Sequence, residues 1–249
     1  MLYLIGLGLY DEKDVTLKGV EAAKSCDRVY AELYTSPWQG SLEKLGGLIG
    51  KRIVTLQRPD LEENSKKLVE EAKKSDIAVF VPGDPMVATT HSSLITDARK
   101  KGIVVKIIHS SSIFSGIAET GLQIYKFGKT ATVAYPEKNF FPKTPYKVLE
   151  ENKRAGMHTL LLLDVKADKN KYMTIAEAID IMLEIEAQET KGLFTKSTKC
   201  VGVARLGENS VIKYGSAKEL KSADFGKPPH ALIVPGELHF SEKEYLESL

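Results

Sequence analysis

Three apolar runs, each stopped by a turn and followed by a helix-forming stretch, constrain this chain most. Ile77–Val81 is an unbroken β-branched and aromatic run, as a strand buried on both faces requires, and Pro82-Gly83-Asp84-Pro85 ends it abruptly. Residues 2–7 and 103–108 are similar runs, the first leading into Gly6-Leu7-Gly8-Leu9-Tyr10-Asp11 and the second into Ser110-Ser111-Ser112-Ile113. Helical patterns follow at 16–24, at 90–101 with Gly102 as a stop, and after Ser112 with Ile113, Phe114, Ile117 and Ala118 on one face. This alternation predicts a mainly parallel sheet with its ligand beyond the carboxyl ends of the strands. Asp84 is then a carboxylate facing a crevice, or a turn residue bonding its own backbone. Ser110 to Ser112 cap a helix or form a polar cradle, and two such loops from different strands suggest one crevice.

Gly6 and Gly8 imitate a dinucleotide fingerprint, with Glu32 in the place of the ribose-binding acid. The pattern fails because Asp11 stands where the third glycine is needed and the next helix starts too late to cradle a pyrophosphate. The glycines instead mark a close backbone approach. Residues 34–40 form a loop holding the single tryptophan, Trp38, which lines a cleft or covers a core edge. A strand is expected at Ile53–Leu56 and one amphipathic helix at 61–74.

After Tyr125 the order of elements changes, which sets domains at 1–125 and 126–249 with a small-molecule cleft between them. The second part reads as mixed. Strands are expected at 131–134, 158–165 and His230–Val234, a hairpin around Gly207-Glu208-Asn209, and helices at 146–154 and after Thr174. Thr174-Ile175-Ala176-Glu177 is a capping box, and Ser241 to Glu244 reads as another, with Phe240 stapled against Tyr245.

A balance of 35 Lys and Arg against 33 Asp and Glu argues against a nucleic-acid footprint. Cys26 and Cys200 lack metal-ligand spacing and read as reduced core thiols. No apolar run approaches the roughly 18 residues of a membrane span, and no basic leader precedes the first strand, so a cytoplasmic protein is expected. The lysine–glutamate surface leans toward heat adaptation. The sequence holds no Cys/His metal cluster, no G-x-S-x-G elbow and no Walker loop, and its five histidines show no helical ligand spacing.

Leu4-Ile5-Gly6-Leu7-Gly8-Leu9, Asp14-Val15-Thr16-Leu17-Lys18-Gly19, Val29-Tyr30-Ala31-Glu32 with Tyr34-Thr35-Ser36, Pro82-Gly83-Asp84-Pro85-Met86-Val87-Ala88-Thr89-Thr90-His91 and Pro229-His230-Ala231-Leu232-Ile233-Val234-Pro235-Gly236 together resemble the tetrapyrrole methylase family of S-adenosylmethionine-dependent methyltransferases. The resemblance spans essentially the whole chain and implies an α/β, two-domain tetrapyrrole methylase-like fold, with a mainly parallel N-terminal sheet and a mixed C-terminal sheet. Tetrapyrrole-modifying members typically carry G-x-G-P-G-D in the first loop and a Gly-Arg pair after G-D-P in the second. Here Leu9-Tyr10 and Ala88-Thr89-Thr90-His91 stand in those places, which matches the branch acting in diphthamide biosynthesis.

Within that branch the resemblance implies that Leu9, Asp84, Val87, Ser112, Ile113, Leu163, Ala204 and His230 contact the donor, S-adenosyl-L-methionine, which leaves as S-adenosyl-L-homocysteine. It further implies trimethylation of the amino group of a 3-amino-3-carboxypropyl-histidine on translation elongation factor 2 to give diphthine, by a homodimeric enzyme without a metal. A tetrapyrrole or other small-molecule methyltransferase of the same fold, or a non-catalytic S-adenosylmethionine-binding module, are the alternatives. The loop 34–40 is the expected rim for the protein acceptor.

Overall fold

The computed structural model describes residues 1–138 and 140–249, which divide into two units, Met1–Gly116 and Ile117–Leu249. The first unit contains five parallel strands: β1 (Leu2–Gly6), β2 (Arg28–Glu32), β3 (Ile53–Leu56), β4 (Ile77–Val81) and β5 (Val105–Ile108), in the order β3-β2-β4-β1-β5. Every residue of β1 and β4 is buried, as their unbroken apolar runs require. Around them run α1 (Leu17–Ser25), α2 (Leu42–Ile49), α3 (Arg58–Glu62), α4 (Ser65–Ala72), α5 (Ser92–Lys100) and the single turn α6 (Ile113–Gly116). Ile5, Leu7, Val15, Cys26, Leu45 and Phe80 share one apolar cluster, with Trp38 packed against it.

The helix expected over 61–74 is two helices. Pro59 opens the first, within a Gln57–Asp60 capping box, and Asn64 separates it from the second. The prolyl ring favours a helix start, so local capping chemistry overrides the continuous amphipathic pattern.

The second unit carries a mixed sheet of β6 (Ala131–Val133), β7 (Thr159–Leu163), β10 (Lys199–Ala204), β11 (Val211–Ser216) and β12 (His230–Val234), ordered β11-β10-β12-β7-β6, and a two-stranded ribbon of β8 (Val165–Lys166) and β9 (Lys171–Tyr172). Among the described residues, only β6 and β7 pair in parallel within that sheet. Its helices are α7 (Thr144–Arg154), α8 (Ile175–Glu189), α9 (Ala217–Ser222) and α10 (Phe240–Glu247). Thr174 and Glu177 form the expected reciprocal capping box at the head of α8. Val133, Tyr146, Leu161, Ile179, Met182, Phe194 and Leu232 lie in this unit's apolar cluster.

The two compact units divide after Gly116, ahead of the boundary expected at Tyr125, and residues 117–125 are bonded to the C-terminal helix: the Gln123 N–H donates to Glu242 Oε1 at 2.8 Å and the Tyr245 hydroxyl to the Glu119 carbonyl at 3.1 Å. The last capping box is His239 with Glu242, two residues earlier than read, because the buried Glu242 carboxylate accepts the His239 N–H at 2.7 Å. Phe240 is consequently 75 % exposed and staples nothing.

Candidate methyl-donor site

In the first unit, three loops at the carboxyl edge of the sheet are fastened to one another. The Leu7 N–H donates to the Val81 carbonyl at 2.8 Å, and Gly8 and Gly83 exchange backbone bonds of 3.2 and 2.9 Å. Gly8 and Gly83 both have positive φ, at 79° and 67°, a region in which glycine carries no steric penalty. A Cβ on Gly6 would lie 2.5 Å from the Gly83 carbonyl oxygen and 2.7 Å from Ser110 Cβ. The close approach that the glycines signal in sequence is therefore the meeting of the β1, β4 and β5 loops.

Asp84, 5 % exposed, completes the fastening. Its Oδ1 accepts the Met86 N–H at 2.9 Å, the self-bonded turn anticipated from Pro-Gly-Asp-Pro. Its Oδ2 reaches the β5 loop, 2.8 Å from His109 Nδ1 and 3.2 Å from the Ser110 amide nitrogen. Ser110 Oγ in turn donates to the Asp14 carbonyl at 3.1 Å, and Asp14 Oδ2 accepts the Tyr10 N–H at 2.7 Å. Asp84 thus both turns its own loop and anchors its neighbour, and the two polar loops are brought together. His109 was not singled out in the sequence; it lies just past the run that forms β5, which the structure makes a partly exposed edge strand and not the buried one expected, and its place beside Ser110 is the local signal it carries.

Around this frame sit the remaining first-unit candidates. Leu9, Val87 and Ile113 are half-buried, and Ser112 is 6 % exposed. The Ser112 N–H donates to Ser115 Oγ at 3.0 Å, so Ser115, not the preceding serine run, satisfies that amide at the head of α6.

The β2 end lies on the same sheet edge. Glu32 is fully buried, with Oε1 accepting the Thr35 hydroxyl at 2.7 Å and Oε2 the Thr35 N–H at 3.3 Å. Burial pushes its carboxyl up to about 7, against those hydrogen bonds. His91, 2 % exposed, places Nε2 3.6 Å from Glu32 Oε1, and its Nδ1 lies 2.6 Å from Thr89 Oγ1. Burial holds this imidazole below its ordinary range. Nothing in the local sequence joins Glu32 to His91; the parallel pairing of β2 with β4 does.

In the second unit, Ala204 is the register partner of His230, and Leu162 that of Ala231, which sets Leu163 next to His230 on the adjoining strand. The three candidates thus form a row across β7, β12 and β10. His230 has both ring nitrogens buried without a hydrogen-bond partner, and burial, then the nearby Arg205, hold its pKa down. A buried polar group without partners costs on the order of 1–3 kcal/mol, so a bound molecule that supplied them would recover that cost. A donor carrying an adenine and a polar amino-acid tail is chemically suited to this imidazole.

Among the described residues no group of three His, Cys, Asp or Glu is placed to hold a metal ion, and no helix is long and apolar enough to cross a membrane. Cys26 and Cys200 are buried and free.

Comparison with known proteins identifies the family. Residues 1–208 match the family model of Tetrapyrrole (Corrin/Porphyrin) Methylases. The chain is 49 % identical over 253 aligned positions to a diphthine synthase of Methanocaldococcus jannaschii, covering 100 % of this chain and 98 % of that one. It is 48 % identical over 251 positions to one of Methanococcus maripaludis, with the same coverage. A crystal structure of diphthine synthase superposes with a TM-score of 0.91 at 42 % identity, covering 99 % of this chain and 94 % of that one. Full-length identity at this level, on a parallel first sheet and a mixed second one, shows that the chain belongs to the diphthine synthases of the tetrapyrrole methylase family.

Proposed function

We propose that this protein is a cytosolic, homodimeric S-adenosylmethionine-dependent methyltransferase that trimethylates the amino group of the 3-amino-3-carboxypropyl-histidine of translation elongation factor 2, yielding diphthine. Full-length identity to diphthine synthases carries the reading. It is supported by loops that depart from the tetrapyrrole-modifying pattern at Leu9-Tyr10 and Ala88-Thr89-Thr90-His91. The dimer rests on resemblance and on the prevalence of two-fold pairs among oligomers; a monomeric mass in light scattering at micromolar concentration would remove it.

The donor contacts in this proposal are Leu9, Asp84, Val87, Ser112 and Ile113 of the first unit and Leu163, Ala204 and His230 of the second. The sulfonium supplies an already activated methyl group. Asp84, with both carboxylate oxygens engaged by protein donors, shapes the loop, so its own contact with the donor and much of the recognition run through backbone groups and the apolar side chains of Leu9, Val87 and Ile113. Holding nucleophile and methyl in line can supply on the order of 7–11 kcal/mol, enough to make positioning the main contribution of these loops.

The test is turnover. Purified protein, treated with chelator and given S-adenosylmethionine, should release S-adenosylhomocysteine only when precursor-bearing elongation factor 2 is present. Release with a tetrapyrrole instead supports the small-molecule alternative, and binding without release supports a sensor. At the level of residues, Asp84→Ala together with Ser112→Ala should weaken donor binding in calorimetry at least tenfold; unchanged affinity would make both loops bystanders.

A further inference from the structure

We propose that Thr89, His91 and Glu32 form a proton relay that takes the ammonium proton of the acceptor amine, with the Thr89 hydroxyl as the group that meets the substrate. The inference rests on the methyltransferase reading above and deepens it. All three residues lie within the first unit. Thr89 is half-buried and lies two positions beyond Val87 on the loop that follows β4. His91 and Glu32 stand behind it, 2 % and 0 % exposed.

The contacts run in one direction. Thr89 Oγ1 is 2.6 Å from His91 Nδ1, within hydrogen-bond reach, and also accepts the His91 N–H at 3.0 Å. A second acceptor for the hydroxyl, the Pro85 carbonyl, lies at 3.3 Å. On the far side of the ring, Nε2 is buried without a hydrogen-bond partner and faces Glu32 Oε1 at 3.6 Å, so transfer to Glu32 requires the ring to approach it by about half an ångström. A mere loop brace would not need an imidazole, nor a carboxylate buried behind an unpartnered ring nitrogen. The other groups facing this pair are the Thr35 hydroxyl and N–H and the Tyr34 N–H, which bind Glu32, the Pro85 carbonyl, which faces the His91 imidazole and favours its protonated form, Arg58, whose charge acts on Glu32, and the buried, unpartnered Tyr34 hydroxyl, influenced by Glu32, Glu62 and Arg58.

The chemistry requires such a path once per methyl. The amine lone pair forms the new N–C bond while the S–C bond breaks and leaves its electrons on sulfur. The product nitrogen is then an ammonium, and it must lose one proton before it can attack again. That proton passes to Thr89 Oγ1 as the hydroxyl's own proton moves to His91 Nδ1. The new Thr89 O–H turns to the Pro85 carbonyl, and the Nε2 proton passes to Glu32. When spent donor is exchanged for fresh, the chain runs in reverse, Glu32 to Nε2 and Nδ1 to Thr89 Oγ1, and the hydroxyl hands its proton to water, which restores the starting tautomer before the next round. Three rounds from the primary ammonium release three protons, and the quaternary product has none left to give. Glu32 suits the terminal place because burial raises its carboxyl to about 7, so it exchanges a proton near neutral pH.

The experiment is single-turnover methylation of precursor-bearing elongation factor 2 by the full-length protein from pH 6 to about 9.5, with the methyl count on the peptide read by mass. Thr89→Val keeps the shape of the side chain and removes the hydroxyl. It should be slower on the order of 100-fold near pH 7, the low end of what a positioned acid–base group contributes, and should accumulate monomethyl product. The deficit should shrink below about threefold toward pH 9.5, as an ordinary amine with a pKa of about 10 begins to lose its proton to water unaided. Thr89→Ser, which restores the hydroxyl, should recover most of the loss, and Glu32→Gln should reproduce the Thr89→Val profile. Donor affinity by calorimetry should stay within about threefold in each variant. A Thr89→Val rate equal to wild type, or lower by the same factor at every pH, overturns the relay and leaves these residues a loop brace. Absence of methylation by the wild-type protein overturns the functional reading instead, so the two failures are distinct.

Discussion

Glu242 is the group whose charge the second unit is built to hold, and Glu242→Gln measures how much that is worth. The carboxylate is 1 % exposed and accepts hydrogen bonds from Lys126 Nζ at 2.5 Å, Gln123 N–H at 2.8 Å, His239 N–H at 2.7 Å and His158 Nε2 at 3.0 Å. His158 is fully buried, and its Nδ1 accepts the Gly236 N–H at 2.9 Å, which fixes the neutral tautomer with the proton on Nε2. Burial alone would raise the Glu242 carboxyl, but the Lys126 ammonium, the two backbone N–H groups and His158 outweigh it and hold the value at about 2 against an ordinary 4.5. A depressed carboxyl stabilises the fold fully above the ordinary value and loses that contribution as pH falls toward the folded one. At about 1.4 kcal/mol per decade the charge contributes roughly 3 kcal/mol at pH 7 and about half of that at pH 3. Urea unfolding of wild type and Glu242→Gln at both pH values should show the difference narrowing by this amount. A difference under about 1 kcal/mol at pH 7, or one equal at both values, would refute the reasoning.

Two other substitutions separate folding from binding. Gly6→Ala puts a methyl against the Gly83 carbonyl and Ser110, both parts of the fastened loops, so it should cost on the order of 1–3 kcal/mol in denaturation and weaken donor binding in calorimetry; wild-type values for both would dissociate the glycines from loop packing. His230→Leu removes two unpartnered ring nitrogens and should raise stability by about 1 kcal/mol while lowering donor affinity at least tenfold, a combination a purely structural histidine would not produce.

What could be read from the sequence was what neighbours along the chain decide. The buried run Ile77–Val81, the capping box at Thr174 and the hairpin through Gly207 to Asn209 each follow from residues a few positions apart, and each is present. The misplaced elements are those where a distant partner chooses among local options. Both the His239 and the Ser241 starts carry a glutamate three residues on, and only the buried contacts of Glu242 with Lys126 and His158 select the earlier one. Asp84 was legible as a loop carboxylate, but its second oxygen is bound to His109 and Ser110 across the sheet edge. In the sequence Glu32 stood out only as an imitation of a ribose-binding acid, and His91 only as the end of the loop after Ile77–Val81. Strand order alone makes them neighbours.

The count of methyl groups on the acceptor peptide is the most direct measurement of the central claim. Precursor-bearing elongation factor 2 is incubated with the protein and excess S-adenosylmethionine to completion, and the histidine-containing peptide is isolated, weighed and fragmented. The account predicts the mass of three added methyl groups, all on the amino nitrogen of the 3-amino-3-carboxypropyl chain. Methyl on the carboxylate would contradict the trimethylammonium product, and an unmodified peptide alongside robust methylation of a tetrapyrrole would contradict the account as a whole.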